Sequence, residues 1–124
     1  MPKKTFGHYL YSLRKIKGFT QKDLAKKAKI EFTYLSKLET NRNARPKEET
    51  IKHLSKALTL SEEERLKLYT FAKRLPPELE AAALKPHVIE ILQTIQSFSE
   101  KDLLRILAGL KRRNRRPEHS LILA

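Results

Sequence analysis

The chain has 124 residues and carries 27 Lys and Arg against 14 Asp and Glu, a formal net charge of +13. This length allows one domain, or one small domain with an appendage, and 40% hydrophobic residues are enough for a modest helical core. The absence of cysteine excludes a disulfide framework and a thiolate metal site. No apolar run approaches the ~18 residues of a membrane span, and the N-terminus does not resemble a signal peptide. We therefore expect a soluble cytoplasmic protein without membrane association.

The positive charge is concentrated in two segments. Residues 1–47 carry 13 Lys or Arg and 3 acidic residues, residues 48–110 are nearly neutral, and residues 111–124 are again basic. A solvated surface without a specific partner would mix the signs more evenly along the chain, and the alternative explanation of the charge is a basic proteome or a solubility effect. The pattern therefore favours a polyanion partner, most simply duplex DNA.

Near the N-terminus, apolar residues recur at steps of three and four: Phe6, Leu10, Leu13 and Ile16. This spacing predicts an amphipathic first helix over residues 5–17, ended by Gly18. Arg14, Lys15 and Lys17 are predicted to lie off the apolar face, where they either touch phosphate or are ordinary surface charges.

Two short helical patterns follow with almost nothing between them. Leu24 and Ala28 are four residues apart and share one face of a first helix, for which Thr20 is a favourable N-cap. Leu35 and Leu38 are three apart and share one face of a second helix. Two helices joined by a tight turn form a helix-turn-helix, whose second helix can lie in the DNA major groove.

This segment resembles the Xre family, the Cro and phage-repressor class of bacterial DNA-binding regulators. The residues that match the family pattern are Thr20, Gln21, Leu24, Ala25, Ile30, Tyr34, Leu35, Ser36, Lys37, Leu38, Glu39 and Pro46. Two positions depart from it. Lys29 stands where the family prefers glycine in a left-handed backbone, and Glu31 stands where Ser or Thr would cap the second helix. The resemblance implies an all-α, five-helix repressor-like DNA-binding domain, followed here by a short helical C-terminal extension.

The resemblance also implies where DNA would be contacted. The helix at 32–39 would enter the major groove, with Thr33 and Lys37 at base edges. Phe32 either touches thymine methyl groups or packs at the helix start, and Tyr34 either bonds a phosphate or packs inward. The polar loop after this helix makes phosphate contacts in the family, although it can also be a solvated connector. The predicted DNA-binding residues are Thr20, Gln21, Lys22, Phe32, Thr33, Tyr34, Ser36, Lys37, Asn41, Arg42, Asn43 and Arg45.

Two more helices complete this predicted domain, which we place at residues 1–75. Glu48 and Glu49 begin a fourth helix with Ile51 and Leu54 on its buried stripe. Ser61 followed by three glutamates is a capping-box start for a fifth helix. Pro76 and Pro77 mark the boundary.

Residues 76–124 form the predicted helical extension. Pro86 can open one of its helices and Ser99 can cap another. About 50 residues are too few to bury this much apolar surface alone, so they are expected to pack on the first domain, on a second copy, or on a ligand or partner. Dimerisation is the commonest outcome. The basic tail at 111–124 is either an extra phosphate contact or disordered.

No nucleotide-binding, zinc-protease or redox motif is present, and the four histidines have no metal-ligand spacing. We therefore predict a protein without enzymatic activity, metal or cofactor. The predicted function is sequence-specific recognition of double-stranded DNA by a transcriptional regulator, a homodimeric repressor. The first alternative is an antitoxin or adaptor whose C-terminal helices bind a toxin or protease. The second is a non-specific nucleoid or RNA-binding protein.

Overall fold

The computed structural model describes residues 5–41 and 44–115, and within these ranges the chain forms helices and no strands. The helices are α1 (Phe6–Ile16), α2 (Gln21–Ala28), α3 (Phe32–Thr40), α4 (Glu48–Ala57), α5 (Glu62–Phe71), α6 (Pro77–Ala83), α7 (Pro86–Ile95) and α8 (Glu100–Asn114). This architecture confirms the predicted all-α fold with five N-terminal helices and additional C-terminal helices. None of the described helices is long and apolar enough to cross a bilayer.

The chain divides into two compact units, Met1–Leu79 and Glu80–Ala124. The first unit contains α1 to α5 around one hydrophobic core. Every one of these five helices contributes to it, and the buried apolar residues are Phe6, Leu10, Leu13, Leu24, Ala25, Ala28, Leu35, Leu38, Ile51, Leu54, Ala57, Leu58, Leu68, Tyr69 and Ala72. Ala25 and Ala28 are small, so α2 can approach its neighbours closely where it crosses the core.

Side-chain caps fix the starts of several helices. The Thr20 Oγ1 accepts a hydrogen bond from the Asp23 amide at 3.0 Å and begins α2. Ser61 and Glu64 form both halves of the predicted capping box, at 3.1 and 2.9 Å, and begin α5. Glu31 precedes α3 without any side-chain cap, as its residue type predicts. The first turn of α3 therefore keeps its backbone N–H groups available.

Four helices in the first unit end with a residue in the left-handed region. These residues are Gly18, Lys29, Thr59 and Lys73, with φ between 50° and 78°. Each ends its helix with two backbone hydrogen bonds of the Schellman type. Only the first is a glycine, so the other three carry the steric cost of a Cβ atom, roughly 1–2 kcal/mol each. The predicted left-handed backbone at Lys29 is confirmed.

The prediction that Ile16 extends the apolar stripe of α1 is wrong, because this residue is 79% exposed. The helix turns about 100° per residue, so three residues after Leu13 the chain has rotated about 60° off the stripe. Lys17 lies closer than Ile16 to the direction of the apolar stripe, and its Nζ pairs with Glu64 Oε1 at 3.3 Å. The apolar stripe of α1 therefore ends at Leu13, and a salt bridge from Lys17 connects the end of this helix to α5.

The second unit is built differently. Pro86 begins α7, and the Ser99 Oγ accepts from the Asp102 amide at 3.2 Å to cap α8, as predicted. No described residue between 80 and 115 is buried. An open apolar cleft lies between the two helices, lined by Ile89, Leu92, Gln93, Ile95, Gln96 and Leu103. The apolar side chains described in this unit are therefore at least partly exposed to solvent and form no buried core.

Candidate nucleic-acid interface

Helix α3 has one buried side and one exposed side. Leu35 and Leu38 face the core. Thr33 and Lys37, four residues apart, are exposed on the other side, and Phe32 at the helix start is 42% exposed. This helix therefore presents polar, cationic and aromatic groups to solvent.

Two residues of α3 are less accessible than these. Tyr34 is half-buried and packs against the core, which favours the inward alternative of the two that its position allows. Ser36 is also half-buried, and its carbonyl oxygen accepts a hydrogen bond from the Thr40 hydroxyl at 3.0 Å. The accessible part of α3 is thus centred on Phe32, Thr33 and Lys37.

A buried ion pair holds the C-terminal end of α3. The guanidinium of Arg14 donates from Nε to Glu39 Oε2 at 2.7 Å and from Nη2 to Glu39 Oε1 at 3.0 Å. The amide of Gln21 donates to the same Oε1 at 3.0 Å, and Arg14 Nη1 donates to the Phe19 carbonyl at 2.9 Å. These bonds tie α1 and the start of α2 to α3, because their donors converge on one carboxylate.

This network corrects the expectation for Arg14. Its side chain is only 8% exposed and that of Glu39 only 3%, so Arg14 is a structural group and not a surface cation. A bidentate guanidinium–carboxylate pair compensates the cost of burying both charges. The Nε2 of Gln21 is committed to the same pair. The backbone amide of Gln21, at the start of α2, is therefore the group by which this residue would contact phosphate.

Gly7 sets how closely α1 approaches α3. A Cβ atom at this position would lie 2.5 Å from the Glu39 carbonyl oxygen and would also overlap the Leu38 carbonyl. Any side chain would push the end of α3 outward. The sequence pattern did not single out Gly7, because its role depends on two helices about 30 residues apart.

An open groove brings several predicted residues together. It is lined by Arg14, Lys15, Gly18, Phe19, Thr20, Gln21, Lys22 and Phe32. The start of α2 points backbone N–H groups into this region, because the first amides of a helix have no partner within it. Lys15 and Lys22 are exposed and add two positive charges. Lys15, for which the sequence leaves open a phosphate contact or an ordinary surface charge, lines this groove.

The segment after α3 contains the remaining predicted contacts. Asn41 and Arg45 are exposed, and the Asn41 backbone N–H donates to the Lys37 carbonyl at 2.8 Å. Arg42 and Asn43 lie outside the described residues. The neighbouring Pro46 is buried, and its carbonyl accepts from Arg74 Nε at 2.8 Å. This hydrogen bond ties the end of the segment at Pro46 to Arg74, which follows α5 in the first unit.

The described residues contain no candidate metal site at this surface. In residues 5–41 and 44–115, no group of three His, Asp or Glu side chains is arranged to hold a metal ion. The groove and the outer side of α3 instead combine a helix N-terminus, lysines and an exposed aromatic residue. These groups suit the anionic phosphates and the apolar base edges of a nucleic acid.

Together, α2 and α3 with their short connection define a helix-turn-helix, the architecture of a DNA-binding transcriptional regulator. Residues 7–70 match the family model described as a helix-turn-helix domain, and this match spans just over half of the chain. The chain belongs to this helix-turn-helix domain family.

No curated protein matches the chain. Among solved structures, it is similar to a SinR protein/SinI protein complex, with 22% sequence identity and a TM-score of 0.47. The similarity covers 90% of this chain and 100% of that one.

Proposed function

We propose that this protein is a sequence-specific regulator of the Xre type, a cytoplasmic homodimeric repressor that reads double-stranded DNA with α3. It acts by binding and not by catalysis. The observation that carries the proposal is the exposed side of α3, where Phe32, Thr33 and Lys37 are accessible while the far end of the helix is clamped through Glu39. A rigidly held, outward-facing helix is what the major groove can accept.

Base readout is assigned to the accessible residues at the start and middle of α3. Lys37 donates to the O6 and N7 acceptors of guanine, and Thr33 donates, accepts or contacts a thymine methyl. Phe32 provides an apolar surface for thymine methyl groups, and its 42% exposure supports this role over helix-start packing. Glu31 favours cytosine, because its carboxylate accepts a hydrogen bond from the cytosine amino group. The same carboxylate repels phosphate and so does not contact the DNA backbone.

Backbone contacts are assigned to the groove and to the loop after α3. Thr20, Gln21 and Lys22 hold a phosphate at the N-terminus of α2. Asn41, Arg42, Asn43 and Arg45 follow the sugar–phosphate backbone beside α3. These contacts position the helix without reading sequence.

Residues 1–75 bind DNA in this proposal, and residues 76–124 dimerise the protein. A two-fold dimer reads two half-sites about 34 Å apart, one helical turn of DNA. The absence of any buried residue among those described between 80 and 115 supports an intermolecular role for this part of the chain.

The same observation favours a second candidate function. An antitoxin or adaptor would use the uncovered helices of residues 76–124 to hold a different protein, such as a toxin or protease. A homodimer that buries α7 and α8 in solution would exclude this use of that surface. A one-to-one complex with a second protein, formed in place of the homodimer, would support it.

The proposal is tested by selecting bound duplexes from a random pool. We expect enrichment of a palindromic site with two half-sites one helical turn apart. Enrichment of no sequence would contradict specific reading, and enrichment of a single unrepeated site would contradict the two-fold dimer.

The loop contacts are tested by the salt dependence of affinity. Arg45→Ala should weaken binding to all duplexes and reduce the slope of log affinity against log salt by about one. Lys56→Ala is the matched control, because Lys56 is also exposed but lies in the last turn of α4. An unchanged slope for Arg45→Ala would remove this residue from the interface.

A further inference from the structure

Helix α8 has its charges separated along its length. Its first turn carries Glu100 and Asp102, whereas its last turn carries Lys111, Arg112 and Arg113. The helix dipole accounts for acidic residues at the start and basic residues at the end. It does not account for the apolar side chains that remain in solvent between them.

One row of residues along α8 combines these features. Glu100, Leu104, Leu107 and Lys111 follow each other at steps of four, three and four, so they share one side of the helix. The two leucines are 58% and 45% exposed. Leu103 instead lines the cleft beside α7. The row therefore forms a seam of the coiled-coil type with an acidic end, an apolar middle and a basic end.

We infer that this seam pairs α8 with α8 of a second copy in antiparallel orientation. The inference rests on the proposed homodimer and gives its register. With the two-fold axis midway between Leu104 and Leu107, each Leu104 packs on Leu107 of the other copy. Glu100 of each copy then lies beside Lys111 of the other, so the row is its own complement.

Charge decides the orientation and the kind of occupant. In a parallel pair the basic last turns would lie against each other, and like charges placed together at an interface are strongly unfavourable. In the antiparallel pair each basic turn meets an acidic one. The cleft lined by Ile89, Leu92, Ile95 and Leu103 adds apolar surface next to the seam. A second copy therefore buries the leucines and pairs the charges at the same time.

The charges are tested by single and double reversal, with oligomeric state measured by light scattering on the full chain. Glu100→Lys and Lys111→Glu should each raise the dimer dissociation constant by about tenfold or more, because each places like charges together twice. The double variant Glu100→Lys/Lys111→Glu should restore it to within about threefold, since the pairing is recreated with opposite polarity. Lys52→Glu, at an exposed position of α4, is the control and should leave the dissociation constant unchanged. Additive loss in the double variant would overturn the register.

The orientation is tested by cross-linking, which has no background because the chain contains no cysteine. The two positions are separated by eleven residues, about 16 Å along the helix. A disulfide needs Cα atoms within about 7 Å. Glu100→Cys and Lys111→Cys should therefore form a disulfide dimer only when the two variants are mixed. Disulfide dimers of each variant alone would show a parallel pair, and no dimer in the mixture would overturn the seam.

The proposed DNA-binding function has a separate readout. If the seam is wrong but α3 reads DNA, Leu107→Asp keeps the two-half-site affinity of the wild type. If the seam is right, Leu107→Asp is monomeric and loses affinity for the full site, while its affinity for a single half-site stays within about threefold of that of the wild type. If the wild-type protein does not bind a single half-site, this result would count against the proposed function and not against the seam.

Discussion

Breaking the ion pair between Arg14 and Glu39 should strongly destabilise the first unit. Glu39→Gln keeps the shape of the side chain but leaves the guanidinium without its counter-charge at a site where the side chains are 8% and 3% exposed. Removing one partner of a buried pair costs about 3–5 kcal/mol. For a domain of this size that lowers the midpoint of thermal unfolding by roughly 12 °C or more.

A double-mutant cycle measures the coupling between the two side chains directly. The single variants of the cycle are Arg14→Met and Glu39→Met. The double variant removes both charges, so we expect it to lose less stability than either single variant, with a coupling energy of about 3 kcal/mol or more. Free energies of unfolding are measured by urea denaturation followed by circular dichroism. The control pair is Lys67 and Glu63, which are both exposed on α5 and should couple by about 0.5 kcal/mol at most. Single-variant losses that add within about 0.5 kcal/mol would refute the network.

Three further predictions concern positions whose backbone or cap is defined. Gly7→Ala should cost about 2 kcal/mol or more in urea denaturation, because its Cβ meets the Glu39 carbonyl; unaltered stability would contradict the close approach. Thr59→Gly should stabilise the protein by about 1 kcal/mol, since a β-branched residue is held at φ 50°, and a lower melting temperature would disprove this. The hydrogen bond from the Ser61 backbone lowers the pKa of Glu64, so its contribution is present at neutral pH and lost as the pH falls through that lowered pKa. The stability difference between wild type and Glu64→Gln should therefore shrink between pH 7 and pH 3, and a constant difference would exclude the linkage.

Much of the fold follows from local signals. The starts of α2, α5 and α8 are predicted by Thr20, Ser61 and Ser99, because side-chain capping acts within three residues. The stripes of α1 to α5 are predicted by helical periodicity, apart from Ile16 at the end of α1. The left-handed residue at Lys29 is predicted only through the resemblance to the Xre pattern, since lysine has no preference for that backbone.

The support of α3 could not be predicted, for a physical reason. Arg14 and Glu39 are 25 residues apart, and no periodicity connects two helices that meet only in the folded state. A basic residue beside an apolar stripe has the same sequence signature whether it faces phosphate or a buried carboxylate. Tyr34 shows the same limit, because its inward packing depends on neighbours from other helices. The assignment of bases and phosphates to particular residues stays a prediction.

The most direct test of the central claim is the affinity of Lys37→Ala for a selected duplex and for a scrambled duplex of equal length, at one salt concentration. We predict a loss of about 1–3 kcal/mol on the selected duplex and a much smaller loss on the scrambled one. Lys52→Ala, which removes an exposed lysine from α4, should change neither affinity. Equal losses on the two duplexes, or no loss on either, would contradict the claim that the exposed side of α3 reads DNA sequence.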